Sequence, residues 1–259
     1  TGNLTFALNR ILSKQQADNT LPWKNVLGSS LGALWGLKSD GLYQTEEELA
    51  NAPKPVGVQP RLGDIKYVDI TGHGAITADD YVRIARSRMP EMMFSLSLDA
   101  DYKGFDLSVQ LKGAALCDRM LQATWNNGVA DQTPLTVPWY GNYDNAPLYL
   151  VEGAWRPDNT NAEYPRLSVT KSSAGNNAQV SDFWKRNGAY LRLKNVVLGY
   201  TFPKRWMNRI GIDNLRIYFS GNNLLTATEF RWIDPESANV PTGYYPQQRT
   251  FTFGVDLSF

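Results

Sequence analysis

The last eleven residues, RTFTFGVDLSF at positions 249–259, constrain the chain most. From position 250 on, Phe251, Phe253, Val255, Leu257 and Phe259 occupy every odd position, and Thr250, Thr252, Gly254, Asp256 and Ser258 every even one. Successive side chains of a strand point to opposite faces, so this segment has one apolar and one polar face. Its length matches the roughly 9–11 residues with which a tilted strand crosses a bilayer. Two architectures satisfy it. In one, the odd face meets lipid and the even face a watery lumen. In the other, the segment is an edge strand of a soluble sandwich with one buried face.

The same alternation recurs along the chain. It predicts strands at 3–13, 28–38, 92–102, 105–116, 189–202, from 213 onward, and at 249–259, about seven antiparallel strands in all. Lys103-Gly104 reads as a two-residue hairpin turn. A phase slip between Lys194 and Val196 reads as a bulge. Between strands lie two long insertions, about 39–91 and 117–188, and a loop of about 226–248. The first holds a short helix, TEEELANA at 45–52, with Thr45 as cap and Glu48 completing a capping box. PKRWMNRIGI at 203–212 reads as a helical turn stopped by Gly211. Short and long connections alternate, as in an up-and-down membrane barrel. Asp99, Asp101, Asp106, Lys112, Arg216 and Asp256 all fall on polar faces. A charge on the lipid face would cost about 2–4 kcal/mol at mid-membrane, so this sorting favours the barrel. Seven strands with loops this long do not close a small barrel, and the chain is expected to be part of a larger one.

Composition removes other classes. Lys+Arg 26 against Asp+Glu 25 gives a net charge of +1, which argues against a nucleic-acid partner. No apolar run is long enough for a membrane helix. The chain opens TGNLTFALNR without Met or a signal-peptide core, as expected of a mature or truncated product. Cys117 is the only cysteine and His73 the only histidine, leaving no disulfide framework, no thiolate metal site and few acid–base options. Asp99 and Asp101 share a face without a catalytic companion, so no enzyme is expected.

Several blocks together closely resemble the C-terminal end of SusC/RagA-like TonB-dependent receptors. They are LGALWGLKSDGLYQTEEEL (31–49), GDIKYVDITGHGAITADD (63–80), YKGFDLSVQLKG (102–113), WKRNGAYLRLKNVVLGYTFP (184–203), LRIYFSGNNLLTATEF (215–230), DPE (234–236) and YPQQRTFTFGVDLSF (245–259). The resemblance implies an all-β fold, with residues 1–259 forming the C-terminal portion of a plugged transmembrane barrel of about 22 strands with long extracellular loops. It implies residence in the outer membrane of a Bacteroidetes-type bacterium and import of glycans or oligopeptides. The implied partners are a SusD-like lipoprotein, TonB, outer-membrane lipid, and an N-terminal plug and barrel portion that has no counterpart in this chain. The competing function is a secreted, soluble carbohydrate-binding β-sandwich.

Three sets of residues are candidate sites. DITGHGAITADD at 69–80 has the length and central glycine of an EF-hand loop, with Asp69, Thr71, His73, the Ala75 carbonyl, Thr77 and Asp80 at ligand positions for calcium. The family pattern here is DxNxDGxI with a final acid; Thr71 and His73 depart from it, and a Gly-rich turn is the alternative. Trp125, Trp139, Tyr140, Tyr143 and Trp155, with Tyr149 and Tyr164, crowd the second insertion, and Tyr244 and Tyr245 the last loop. Such rings stack on sugars or peptide side chains, or pack the loops. Finally, Phe251, Phe253, Val255, Leu257 and Phe259 resemble the C-terminal signal read by outer-membrane insertion machinery.

Overall fold

The computed structural model describes residues 1–17, 20–121, 125–126, 129–130, 148–167, 175–230, 234–236 and 247–259. Its frame is one six-stranded sheet. The strands are β1 (Gly2–Phe6), β2 (Met92–Tyr102), β3 (Phe105–Ala115), β4 (Tyr190–Thr201), β5 (Asn214–Thr228) and β6 (Thr250–Ser258). Each pairs antiparallel with its neighbour in the chain, so strand order equals sequence order. Every odd-numbered connection therefore lies at one end of the sheet and every even-numbered one at the other. The long connections (7–91, 116–189 and 229–249) share one end. Lys103-Gly104 and residues 202–213 share the opposite end. Lys103 and Gly104 have φ of 49° and 91°, the double positive φ of a primed hairpin turn.

Register decides what each face carries. Phe253 pairs with Phe219, Phe219 with Leu198, Leu198 with Leu107, and Leu107 with Ala100. The next row on that face runs Val255, Ile217, Tyr200, Phe105, Tyr102. A polar row runs between them on the other face: Gly254, Tyr218, Gly199, Asp106, Asp101. Five separate alternations thus fall into phase and make a continuous apolar surface. A slip of one residue in any pair would break it. Phe253 is 84% exposed. Among the described residues the other sheets are two-stranded, and none covers this face. The soluble sandwich is therefore not the architecture, because a sandwich would bury these rings between two sheets.

The expected strand at 28–38 is not in the sheet. Its alternation is real, but Gly28 and Gly32 take φ of 80° and 85° and turn the backbone. Only Leu34–Gly36 is extended, paired with Val82–Ala85. The expected strand at 3–13 shortens to Gly2–Phe6. The bulge stands where the phase slips: register shifts between Leu193 and Asn195 against both neighbours.

The compact apolar core lies in the two long insertions. Leu37, Ile65, Tyr67, Trp155, Tyr164 and Trp184 are buried together. The insertions are tied to each other by Leu37 bridging Ser181, by Asn177 Oδ1 accepting from the Ile65 amide (2.9 Å), and by the Tyr67 hydroxyl donating to the Asn176 carbonyl (2.7 Å). The helix forms at Glu46–Asn51 as expected; Thr45 Oγ1 accepts from the Glu48 amide, while Glu48 reaches back to the Gln44 amide at 2.8 Å.

Candidate functional site

The polar face of the sheet carries two charge networks. At the long-loop end, Arg192 on β4 is 1% exposed. Its Nη2 donates to Asp234 Oδ2 and its Nη1 to Glu236 Oε2, both at 2.7 Å; Nε donates to Thr226 Oγ1 at 3.0 Å. Nη1 also reaches Gln247 Oε1 at 3.3 Å. Glu236 Oε1 in turn accepts from the Tyr190 hydroxyl and the Lys112 ammonium, each at 2.7 Å. Burial pushes the Glu236 carboxyl upward, but its bonds to Lys112 and Tyr190 and the charge of Arg192 hold it below the usual range. Arg119 adds a bond to the Pro235 carbonyl at 2.6 Å. The short motif 234–236 is thereby fastened to the polar face of β3 and β4 and to Arg119. A cleft of about 370 Å³ beside it is lined by Arg192, Asn223, Thr226, Asp234, Gln247 and Arg249.

At the short-turn end, Arg216 on β5 grips Asp106 on β3 with two bonds, Nη2 to Oδ2 at 2.6 Å and Nε to Oδ1 at 3.0 Å. It also donates to Asp256 on β6 at 3.1 Å. β4 runs between Arg216 and Asp106, and the pair spans it because Gly199 has no side chain. A Cβ there would collide with the Asp106 carboxylate. Sequence reasoning placed all three charges on the polar face but gave no sign of this cross-strand strut. Nor did it pick out Arg192. A guanidinium near the start of a strand, with an acidic DPE motif downstream, was the available signal.

The 69–80 loop closes on itself. Asp69 Oδ1 accepts from the Gly72 amide at 2.7 Å and Oδ2 from the Gly74 amide at 2.6 Å. Asp80 Oδ1 accepts from the amides of Ile70 and Thr71, both at 2.9 Å. Its Oδ2 accepts from the Thr77 amide at 2.7 Å, completing a capping box over Ala78–Asp80. Burial opposes both charges, yet these amide bonds hold both carboxyls below their ordinary range. Oxygens expected to face calcium thus face N–H donors, while the His73 side chain is exposed. These bonds are those of a Gly-rich turn closed by its two carboxylates. Among the described residues, no group of three or more His, Cys, Asp or Glu is placed to hold a metal.

The aromatic candidates divide. Trp155 is 6% exposed, packed over Gly63 with its Nε1 donating to Gln44 Oε1 at 3.0 Å. It is a core residue and offers no open ring face; Tyr164 is buried with it. Trp125 lies in a short strand, Trp125–Asn126, paired with Val129–Ala130. Trp139, Tyr140, Tyr143, Tyr244 and Tyr245 lie outside the described residues. Phe251, Phe253, Val255 and Leu257 stand exposed on β6, with Phe259 just beyond it.

No family model matches the chain. Among curated proteins it is similar to TonB-dependent receptor P26 of Formosa agariphila, 30% identical over 250 residues, covering 90% of this chain and 23% of that protein. TonB-dependent receptor P3 of the same organism is 27% identical over 245 residues, covering 90% and 22%. TonB-dependent receptor SusC of Bacteroides thetaiotaomicron is 26% identical over 199 residues, covering 74% and 17%. The chain thus spans less than a quarter of the length of each of these relatives. Among solved structures, the RagAB peptide transporter superposes with a TM-score of 0.60 at 21% identity, over 95% of this chain and 24% of that one. The RagAB peptide importer in its open-open state gives 0.58 at 20% identity, over 100% and 26%.

Proposed function

We propose that this chain, similar to SusC-type TonB-dependent receptors over most of its length, forms one arc of the wall of an outer-membrane barrel. In this reading the barrel imports glycans or oligopeptides. Residues 1–259 are its C-terminal portion, and the plug and the TonB-contacting segment belong to the part this chain does not include. A SusD-like lipoprotein covers the end that carries the long loops. The observation that carries the reading is the register of the sheet, which lines up the apolar residues of β2 to β6 into one face that no described residue covers. In water such a face is an aggregation hazard; in a bilayer it is solvated. Among the described residues the outer edges of β1 and β6 are unpaired, which supports the same view, since such an edge calls for a neighbouring strand. The face opposite, with Arg192, Lys112, Asp106 and Arg216, suits a water-filled lumen. No catalytic role is proposed.

The test uses the complete receptor in native outer-membrane vesicles, with spin labels at Phe253→Cys and Thr252→Cys. Cys117, the chain's only native cysteine, is buried. The label at 253 is expected to collide with lipid-soluble oxygen, and the label at 252 with a water-soluble nickel chelate. Equal access of both labels to the chelate would sink the reading.

A further inference from the structure

We propose that the short-turn end of the wall is a phospholipid-headgroup clamp, built by the 203–211 turn and the aromatic rim beside it. The inference rests on the membrane reading above and adds a specific lipid contact to it. At this end the apolar face finishes in rings. Tyr102 pairs with Phe105, the Phe105 and Tyr200 rings lie 4.6 Å apart, and Tyr200 and Phe202 lie 5.0 Å apart, edge to face. Aromatic rims of this kind sit at the level of lipid headgroups.

The chain then makes a helical turn. Lys204–Met207 is α-helical, Asn208–Ile210 continues as a 3₁₀ turn, and Gly211 ends it with φ of 74°. Only Met207 is buried. Trp206 and Ile210, four apart, leave a large apolar edge in the open. Arg205 and Arg209, also four apart, stand exposed beside it. Among the described residues, none of Lys103, Lys204, Arg205 and Arg209 forms an ion pair with a carboxylate. Instead, Lys103 lies over the Tyr102 ring at 5.1 Å and Arg205 over the Trp206 ring at 5.6 Å. The strand carboxylates of this end (Asp99, Asp101, Asp106, Asp256) are on the polar face of the sheet, by the register given above.

An apolar edge flanked by cations without carboxylate partners, on the connection that leaves the ring-bearing end of the sheet, matches one partner: acyl chains under Trp206 and Ile210, and a phosphodiester against Arg205, Arg209 and Lys204. Guanidinium and ammonium groups bind phosphate through charge-assisted hydrogen bonds. An anionic headgroup, which carries no cation of its own, is preferred over a zwitterionic one.

The complete receptor is purified in detergent and titrated with fluorescent phosphatidylglycerol or phosphatidylcholine, as wild type and as K204Q/R205Q/R209Q. Wild type is expected to favour phosphatidylglycerol by about tenfold or more, and the triple variant to lose most of that preference. W206A is expected to weaken retention of both lipids. Equal affinity for the two lipids in wild type, or an unchanged preference in the triple variant, overturns the clamp. A spin label at 253, carried by the same variant in vesicles, separates the two ideas. If that label stays lipid-exposed while the preference is unchanged, the clamp alone fails; if it is water-exposed, the membrane reading fails and the clamp with it.

Discussion

Phe253 and Trp184 are both large aromatic residues, yet one is 84% exposed and the other 1%. The contrast holds for the two regions they belong to. The wall turns its apolar side chains outward and keeps its charges on the opposite face, bonded to one another across strands. The body formed by the long insertions does the reverse, with Leu37, Tyr67 and Trp184 inside and Glu46 and Glu47 exposed. On the proposed membrane reading, one sequence is written for two solvents. The wall takes its order from backbone pairing and register; the loop body takes its order from side-chain packing.

Substitutions that injure one region and spare the other test this division. The largest effect is expected from Trp184→Ala, which removes a buried ring together with its bond to the Asn177 carbonyl at 2.9 Å. A loss of about 3–5 kcal/mol is expected in the loop body. Limited proteolysis should cut the insertions while strands β2 to β6 stay protected; cleavage of the strands as well would show that the two regions are one cooperative unit. Phe253→Arg should do the opposite, costing about 2–4 kcal/mol in a bilayer, whereas Thr252→Arg is tolerated. Urea titration in lipid vesicles measures both, and equal costs would remove the distinction between the faces.

Arg192→Met acts at the joint between the regions. It strands Asp234 and Glu236 near the wall and should cost about 2–3 kcal/mol, below the usual range for a broken buried pair because Glu236 keeps Lys112. A spin label at Pro235→Cys should gain mobility in this variant and not in Arg216→Met. The smallest effect is expected at Asp80. Its folded carboxyl titrates below the unfolded value near 3.9, so its contribution is present above about pH 4 and fades as pH falls through the folded pKa. Asp80→Asn should cost about 1 kcal/mol and remove that acid sensitivity, seen by hydrogen exchange at the Ile70 and Thr71 amides.

The wall was legible in the sequence because period-two alternation depends only on neighbours along the chain. Phe251 to Phe259 and Phe94 to Tyr102 announce their faces without any knowledge of the fold, and the slip after Lys194 marks the bulge. Residues 28–38 misled for the same reason. Leu31, Ala33, Trp35 and Leu37 alternate, but two glycines at positive φ turn this stretch into the loop body, where Leu37 is core. The insertions have no period, so the burial of Trp155 and the pairing of Asn177 with Ile65 were out of reach; both are long-range contacts. The Asp80 carboxylate shows a third limit. The same spacing serves calcium or a capping box, and only the direction of the amides distinguishes them.

The alternation of connections also sets an order of assembly. β2 and β3 meet across Lys103-Gly104, and β4 and β5 across residues 202–213, so each pair closes a small loop and forms early as a hairpin. Joining β3 to β4 must wait for the ends of residues 116–189 to find each other, and each doubling of a loop adds about 0.6 kcal/mol to that search. Here the loop body acts as a jig. By packing Leu37, Ile65 and Tyr67 against Trp155, Tyr164 and Trp184 it holds the ends of the two hairpins side by side, and shortens the search that the bare chain would otherwise have to make.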